Sequence, residues 1–108
     1  VEFESFIEGV TIMKMTFEWD PDKAKINLVK HGVTFHEAST AFGDPFSLTI
    51  PDPDHSALEQ RFLLLGRSAD NRVLVIAFTD REPNTRIISA RKATTREKRS
   101  YEKSPKDD

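Results

Sequence analysis

Short blocks of apolar and polar residues run along the chain with turn residues between them. Thr16-Phe17-Glu18-Trp19 alternates with period two, which places Phe17 and Trp19 on one face of a strand. Asp20-Pro21 then opens a helix, because Asp20 suits the N-cap and Pro21 the first helical position, where no amide donor is needed. The helix is predicted to run to about Lys30 or His31 and to stop at Gly32, a left-handed C′ residue followed by apolar Val33. On it Ala24, Leu28 and His31 share one face, and Lys23, Asn27 and Lys30 an adjacent one. Thr34 begins a second helix with a capping box to Glu37, an apolar face of Phe35, Ala38 and Phe42, and a stop at Gly43-Asp44-Pro45.

Phe46, Leu48 and Ile50 alternate with Ser47 and Thr49 as a half-buried strand. Pro51-Asp52-Pro53-Asp54 reads as a stiff turn, after which Ser56 and Glu59 cap a short helical turn. Strands are predicted at 61–68, 72–79 and 86–92. The middle one carries Leu74, Ile76 and Phe78 on one face and Val73, Val75 and Ala77 on the other, as a central strand does. A closing helix starts at Thr94 with a capping box to Glu97, and its only aromatic residue is Tyr101. The predicted order is β-α-α-β-β-β-β-α. Short links between the late strands make this an α+β fold, a small antiparallel sheet with helices packed on one side. Residues 1–14 show no clear period and are expected to be an extension, disordered or from a misplaced start. The domain is expected over 15–103, with 104–108 as a disordered tail.

Composition narrows the function classes. A chain of 108 residues favours one domain. It has no cysteine, which excludes disulfides, thiolate zinc sites and a cysteine nucleophile and fits a reducing, cytoplasmic setting. No apolar run has the length of a membrane helix, and three glutamates precede the first lysine, unlike a signal peptide. The net charge of −2 hides a polarity: residues 1–60 hold 4 basic and 11 acidic side chains, residues 81–103 hold 8 and 3. The basic C-terminal third points to a polyanion.

Candidate chemistry follows from that polarity. Arg61 opens one strand, Arg86 opens another, and Arg91-Lys92 closes the latter, so these basic ends are expected to converge within reach of one phosphate. Strict alternation sets Arg91 with Ser89 and Ile87, and Arg86 with Ile88, Ala90 and Lys92 on the opposite face. His31 is the best imidazole for acid–base work near neutral pH, although a histidine before a C-cap glycine also suits the helix end. Lys23 and Lys30 are placed to contact phosphate, and Asn27 to bond backbone. Asp52, Asp54 and His55 look like a metal cluster but are better read as turn chemistry, and no metal or other cofactor is expected. His36 is expected to be exposed and inert. Glu18 and Glu59 are weak candidates for a base, and Ser89 lacks the pattern of a serine nucleophile.

Several motifs in order carry a resemblance. Phe17-Glu18-Trp19-Asp20-Pro21, then Lys23, Asn27, Lys30-His31-Gly32-Val33, Phe35 and Ala38, resemble the BrnT family of bacterial toxins. So do Asp54-His55-Ser56, Arg61-Phe62, Gly66 and the run Arg86-Ile87-Ile88-Ser89-Ala90-Arg91-Lys92-Ala93-Thr94. The resemblance implies a fold like the RelE ribonucleases and metal-independent cutting of RNA that blocks translation. It also implies neutralisation by a BrnA-like ribbon-helix-helix antitoxin in a toxin–antitoxin oligomer that reaches operator DNA through the antitoxin. On this basis His31, Arg61 and Arg91 are expected to be catalytic, and Lys23, Lys30, Arg86 and Lys92 to guide RNA. The alternative is a non-catalytic module that binds nucleic acid or protein within an autoregulatory complex.

Overall fold

A computed structural model describes residues 2–7, 10–54 and 59–103. Its elements are β1 (Glu2–Ile7), β2 (Val10–Glu18), α1 (Pro21–His31), α2 (Phe35–Thr40, continued by a 3-10 turn Ala41–Gly43), β3 (Leu48–Pro51), β4 (Arg61–Arg67), β5 (Val73–Arg81), β6 (Asn84–Lys92) and α3 (Thr95–Lys103). The predicted elements from α1 onward are all present, shifted at their ends by a residue or two, except that β3 omits Phe46 and Ser47. The capped turn assigned to Ser56 lies outside the described residues, as do His55 and the tail 104–108.

The strands form one sheet in the order β1-β2-β6-β5-β4-β3. β5 is interior, as its two apolar faces require: Val73, Leu74, Val75 and Ile76 are all buried. Two features depart from expectation. The sheet is mixed, because β2 pairs parallel with β6 over Thr16–Glu18, and β2 itself begins at Val10 and pairs antiparallel with β1. Residues expected as an extension thus add backbone to the sheet. The helices also divide between its faces. Phe35 and Ala38 of α2, with Phe17, Val33, Leu74, Ile76, Ile87 and Ala90, build the core on one face, against which Ala24 of α1 packs. α3 lies against the other, where Glu97 and Ser100 border a hollow with Leu63, Leu65 and Val75. A helix so poor in apolar residues cannot join the core. Tyr101 alone is buried, its hydroxyl donating to Asp44 Oδ2 at 2.6 Å beneath the Arg67 guanidinium.

Local signals explain the rest. Asp20 Oδ1 accepts from the Asp22 amide at 2.8 Å, and Gly32 sits at φ 69 with its amide donating to the Leu28 carbonyl. Thr34 caps α2 through the Glu37 amide, but the Glu37 carboxylate does not turn back to close the box. It is buried and bonded by Arg72 and by Ser68 Oγ at 2.7 Å, an ion pair that outcompetes a local amide. At Thr94 the box does close, in both directions. No helix among the described residues is long and apolar enough to cross a membrane.

Candidate RNA-binding site

The placement of Arg86 relative to Arg91 turns on one backbone irregularity. β5 and β6 pair Ala77 with Ser89 but Phe78 with Ile87, so Ile88 is an extra, unpaired residue, a β-bulge. The bulge resets the alternation. Ile87 falls on the core face, where it is 1% exposed, and Arg86 joins Ser89 and Arg91 on the outer face. The assignment of Arg86 and Arg91 to opposite faces is corrected on this ground: strict alternation cannot count a residue that has no partner.

Pairing then aligns a row across four strands. Arg61 of β4 sits opposite Thr79 of β5, Thr79 opposite Arg86 of β6, and Arg86 opposite Glu18 of β2. Thr79 is buried and donates to the Gln60 carbonyl at 2.7 Å, so it forms a short floor between two long cations. Two strand spacings separate the backbones of Arg61 and Arg86, about 9–10 Å. Arg86 Nη1 donates to Glu18 Oε2 at 2.7 Å, and Asn84 Nδ2 donates to Glu18 Oε1 at 3.0 Å. The Asn84 and Arg86 bonds hold the Glu18 carboxyl below the usual glutamate range. Arg81, paired with Glu59, borders the row.

Arg91 does not reach this row. It pairs with Val75, four residues along β5 from Thr79, or about 13 Å, and two strands across from Arg61. Its guanidinium is also engaged by both Glu97 oxygens, at 2.7 and 2.9 Å. That fork holds Glu97 down to about 2. The expected convergence of Arg61 and Arg91 on one phosphate is therefore not what the register builds. Lys92 pairs with Leu74 and so belongs to the core-side face.

His31, Lys23 and Lys30 meet elsewhere. With Ile26, Asn27, Ile88 and Ser89 they line a groove of about 190 Å³ at the β6 edge. Among the described residues the His31 imidazole has no hydrogen-bond partner, and Arg72 rather than His31 bonds the helix-end carbonyl of Gly32, at 3.1 Å. A larger hollow of about 470 Å³ on the core-side face is lined by Phe42, Phe62 and Phe78 with Asp80 and Glu82. Its two carboxylates make it unsuited to phosphate. Asp52 accepts from the Asp54 amide at 3.1 Å, the turn geometry expected of that run, and His36 is exposed. The residues that sequence reasoning underrated are Glu18, Thr79 and Asn84. Glu18 alternates against Phe17 and Trp19, which signals its face, but nothing local names its partner.

A family model described as the ribonuclease toxin BrnT of type II toxin–antitoxin systems matches residues 19–97. Among solved structures, the ribonuclease toxin BrnT of Brucella abortus is similar, with a TM-score of 0.59 and 20% identity over 75% of this chain and 99% of that one. At that identity the likeness bears on the fold. A search of curated proteins finds no match.

Proposed function

The chain belongs to the BrnT family of ribonuclease toxins of type II toxin–antitoxin systems, and from that premise we propose that it cuts RNA on the outer face of its sheet, with Arg61 and Arg86 gripping the scissile phosphate above Thr79. The observation that carries this reading is the cross-strand row itself: two arginines on one face of the sheet flank a small buried residue. Planar forks suit the non-bridging oxygens of a phosphodiester, and charge fixed in advance stabilises the phosphorane-like transition state. RNA brings its own nucleophile, the 2′-hydroxyl, so the scheme runs without a divalent ion. Lys23, Lys30 and His31 take the strand as it leaves the row past Ser89. In the cell this cleavage halts translation. A BrnA-like ribbon-helix-helix antitoxin covers the same cationic face with an acidic segment and carries the contact to operator DNA. An α+β fold with α1 and α2 on one face of the sheet supports the RelE-like reading.

The test uses purified chain, end-labelled RNA and EDTA. Wild type cuts the RNA. Arg86→Ala and Arg61→Ala each lose about 10²–10³-fold in kcat, the scale for removing one transition-state donor. Arg91→Ala stays within a few-fold, because Arg91 lies about 13 Å along the sheet from Thr79, outside the row. Salt-sensitive binding without cleavage would favour the non-catalytic module instead, and loss of activity in Arg91→Ala with Arg86→Ala intact would move the site away from the row.

A further inference from the structure

The row does not end at Arg86. β2 is the parallel neighbour of β6, and this pairing sets Glu18 beside Arg86. Each carboxylate oxygen is held by a different residue: Oε2 by Arg86 at 2.7 Å and Oε1 by Asn84 at 3.0 Å. Asn84 is two residues before Arg86 on the same strand and face, so it braces the carboxylate from one side while the guanidinium meets it from the other. Among the described residues, the Arg86 guanidinium bonds nothing else. A guanidinium has five N–H donors, so the remaining ones are left for a ligand. An arginine held by one edge presents the other in a defined plane.

We propose that Glu18 is the positioning residue of the RNA-cleaving row: by holding one edge of Arg86 it aims the free donors at the phosphate between Arg86 and Arg61. This rests on the function proposed above and deepens it. Two observations assign positioning rather than proton transfer. Glu18 stands two strands from Thr79, with Arg86 in between. Its carboxyl is also held in the charged form by Asn84 and Arg86, and an effective base needs a pKa near the working pH. An ion pair about a third exposed contributes little to stability, so its effect belongs to the geometry of the site.

The sign of two effects makes the idea testable. Removing Glu18 takes a negative charge out of a cationic row, so RNA should bind at least as well. It also frees Arg86 to rotate, so the transition state should be gripped less well. The experiment measures kcat and KM for RNA cleavage, and Kd for fully 2′-O-methylated RNA of the same sequence, which cannot be cut. The proteins are wild type, Glu18→Ala, Glu18→Gln, Arg86→Ala and the Glu18→Ala/Arg86→Ala double variant. Glu18→Ala should lower kcat by about 10–100-fold, the scale of a misplaced catalytic group, with Kd unchanged or a few-fold tighter. Glu18→Gln, which keeps an acceptor for Arg86, should lie between it and wild type. In the Arg86→Ala background the same change should have no further effect.

A parallel loss of kcat and of affinity would mark a merely structural role and overturn the proposal. So would an undiminished effect of Glu18→Ala in the Arg86→Ala background, or removal of the acidic limb of the pH–rate profile, which would make Glu18 the base. If Arg86→Ala is inactive while Glu18→Ala keeps the wild-type kcat, positioning is refuted and the row stands. If Arg86→Ala cuts as well as wild type, the row falls and Glu18 with it.

Discussion

Where β2 stops pairing with β6 at Glu18, the backbone of β6 beyond Arg86 needs other partners, and Asn27 supplies them. From α1 its Oδ1 accepts from the Ala90 amide at 3.1 Å, and its Nδ2 donates to the Ala90 and Val33 carbonyls at 2.8 and 3.0 Å. A side-chain amide thus stands in for a missing strand residue and ties the turn after Gly32 to the sheet. The residue is buried, so truncation strands polar atoms away from water. Each such atom costs about 1–3 kcal/mol. Asn27→Ala should therefore lose about 2–4 kcal/mol in urea unfolding, with an unchanged m-value. The sequence made Asn27 a backbone binder by its residue type. It could not say which backbone, because Ala90 lies 63 residues away.

At the scale of elements, capping residues, turns and periodicity were sufficient for α1 to α3 and β3 to β6, since each is a local preference. What local preference misses is a residue removed from the count, as Ile88 is, and an ion pair formed across the fold, as Glu37 makes with Arg72. α3 shows how thin a local preference can be. It is held by Tyr101 on Asp44 and by Glu97 on Arg91. Glu97 is depressed to about 2 by Arg91 first, with the Thr94 amide assisting. A depressed carboxyl contributes stability that is complete above its unfolded value, near 4.5, and is lost as pH falls through about 2. Both partners are about a third or more exposed, so water screens the pair and its worth is about 1 kcal/mol or less. Glu97→Gln should loosen α3 at neutral pH. The difference from wild type should shrink as pH falls from 4.5 to 2, followed by the amide resonances of α3.

At the scale of the whole molecule, the charge polarity was visible in the sequence, but its shape in space was not. The basic third does not form one cluster. Arg91 pairs with Glu97 beside α3, Arg81 with Glu59 and Arg86 with Glu18. The row holds Arg61 and Arg86, while Lys23, Lys30 and His31 sit around the β6 edge, contributed by the acidic half of the chain. If a single strand of RNA runs from the row past Ser89 into that groove, its phosphates meet a few cations rather than the full basic count. Binding of uncut single-stranded RNA then falls with salt at a slope of about 0.7 per neutralised phosphate. Lys23→Ala and Lys30→Ala should each lower that slope by about 0.7 and raise KM, with kcat little changed because neither touches the scissile phosphate. Arg91→Ala should leave the slope where it was. A slope reduced by Arg91→Ala but not by the two lysine variants would mean that RNA follows α3 across the outer face instead of rounding the β6 edge.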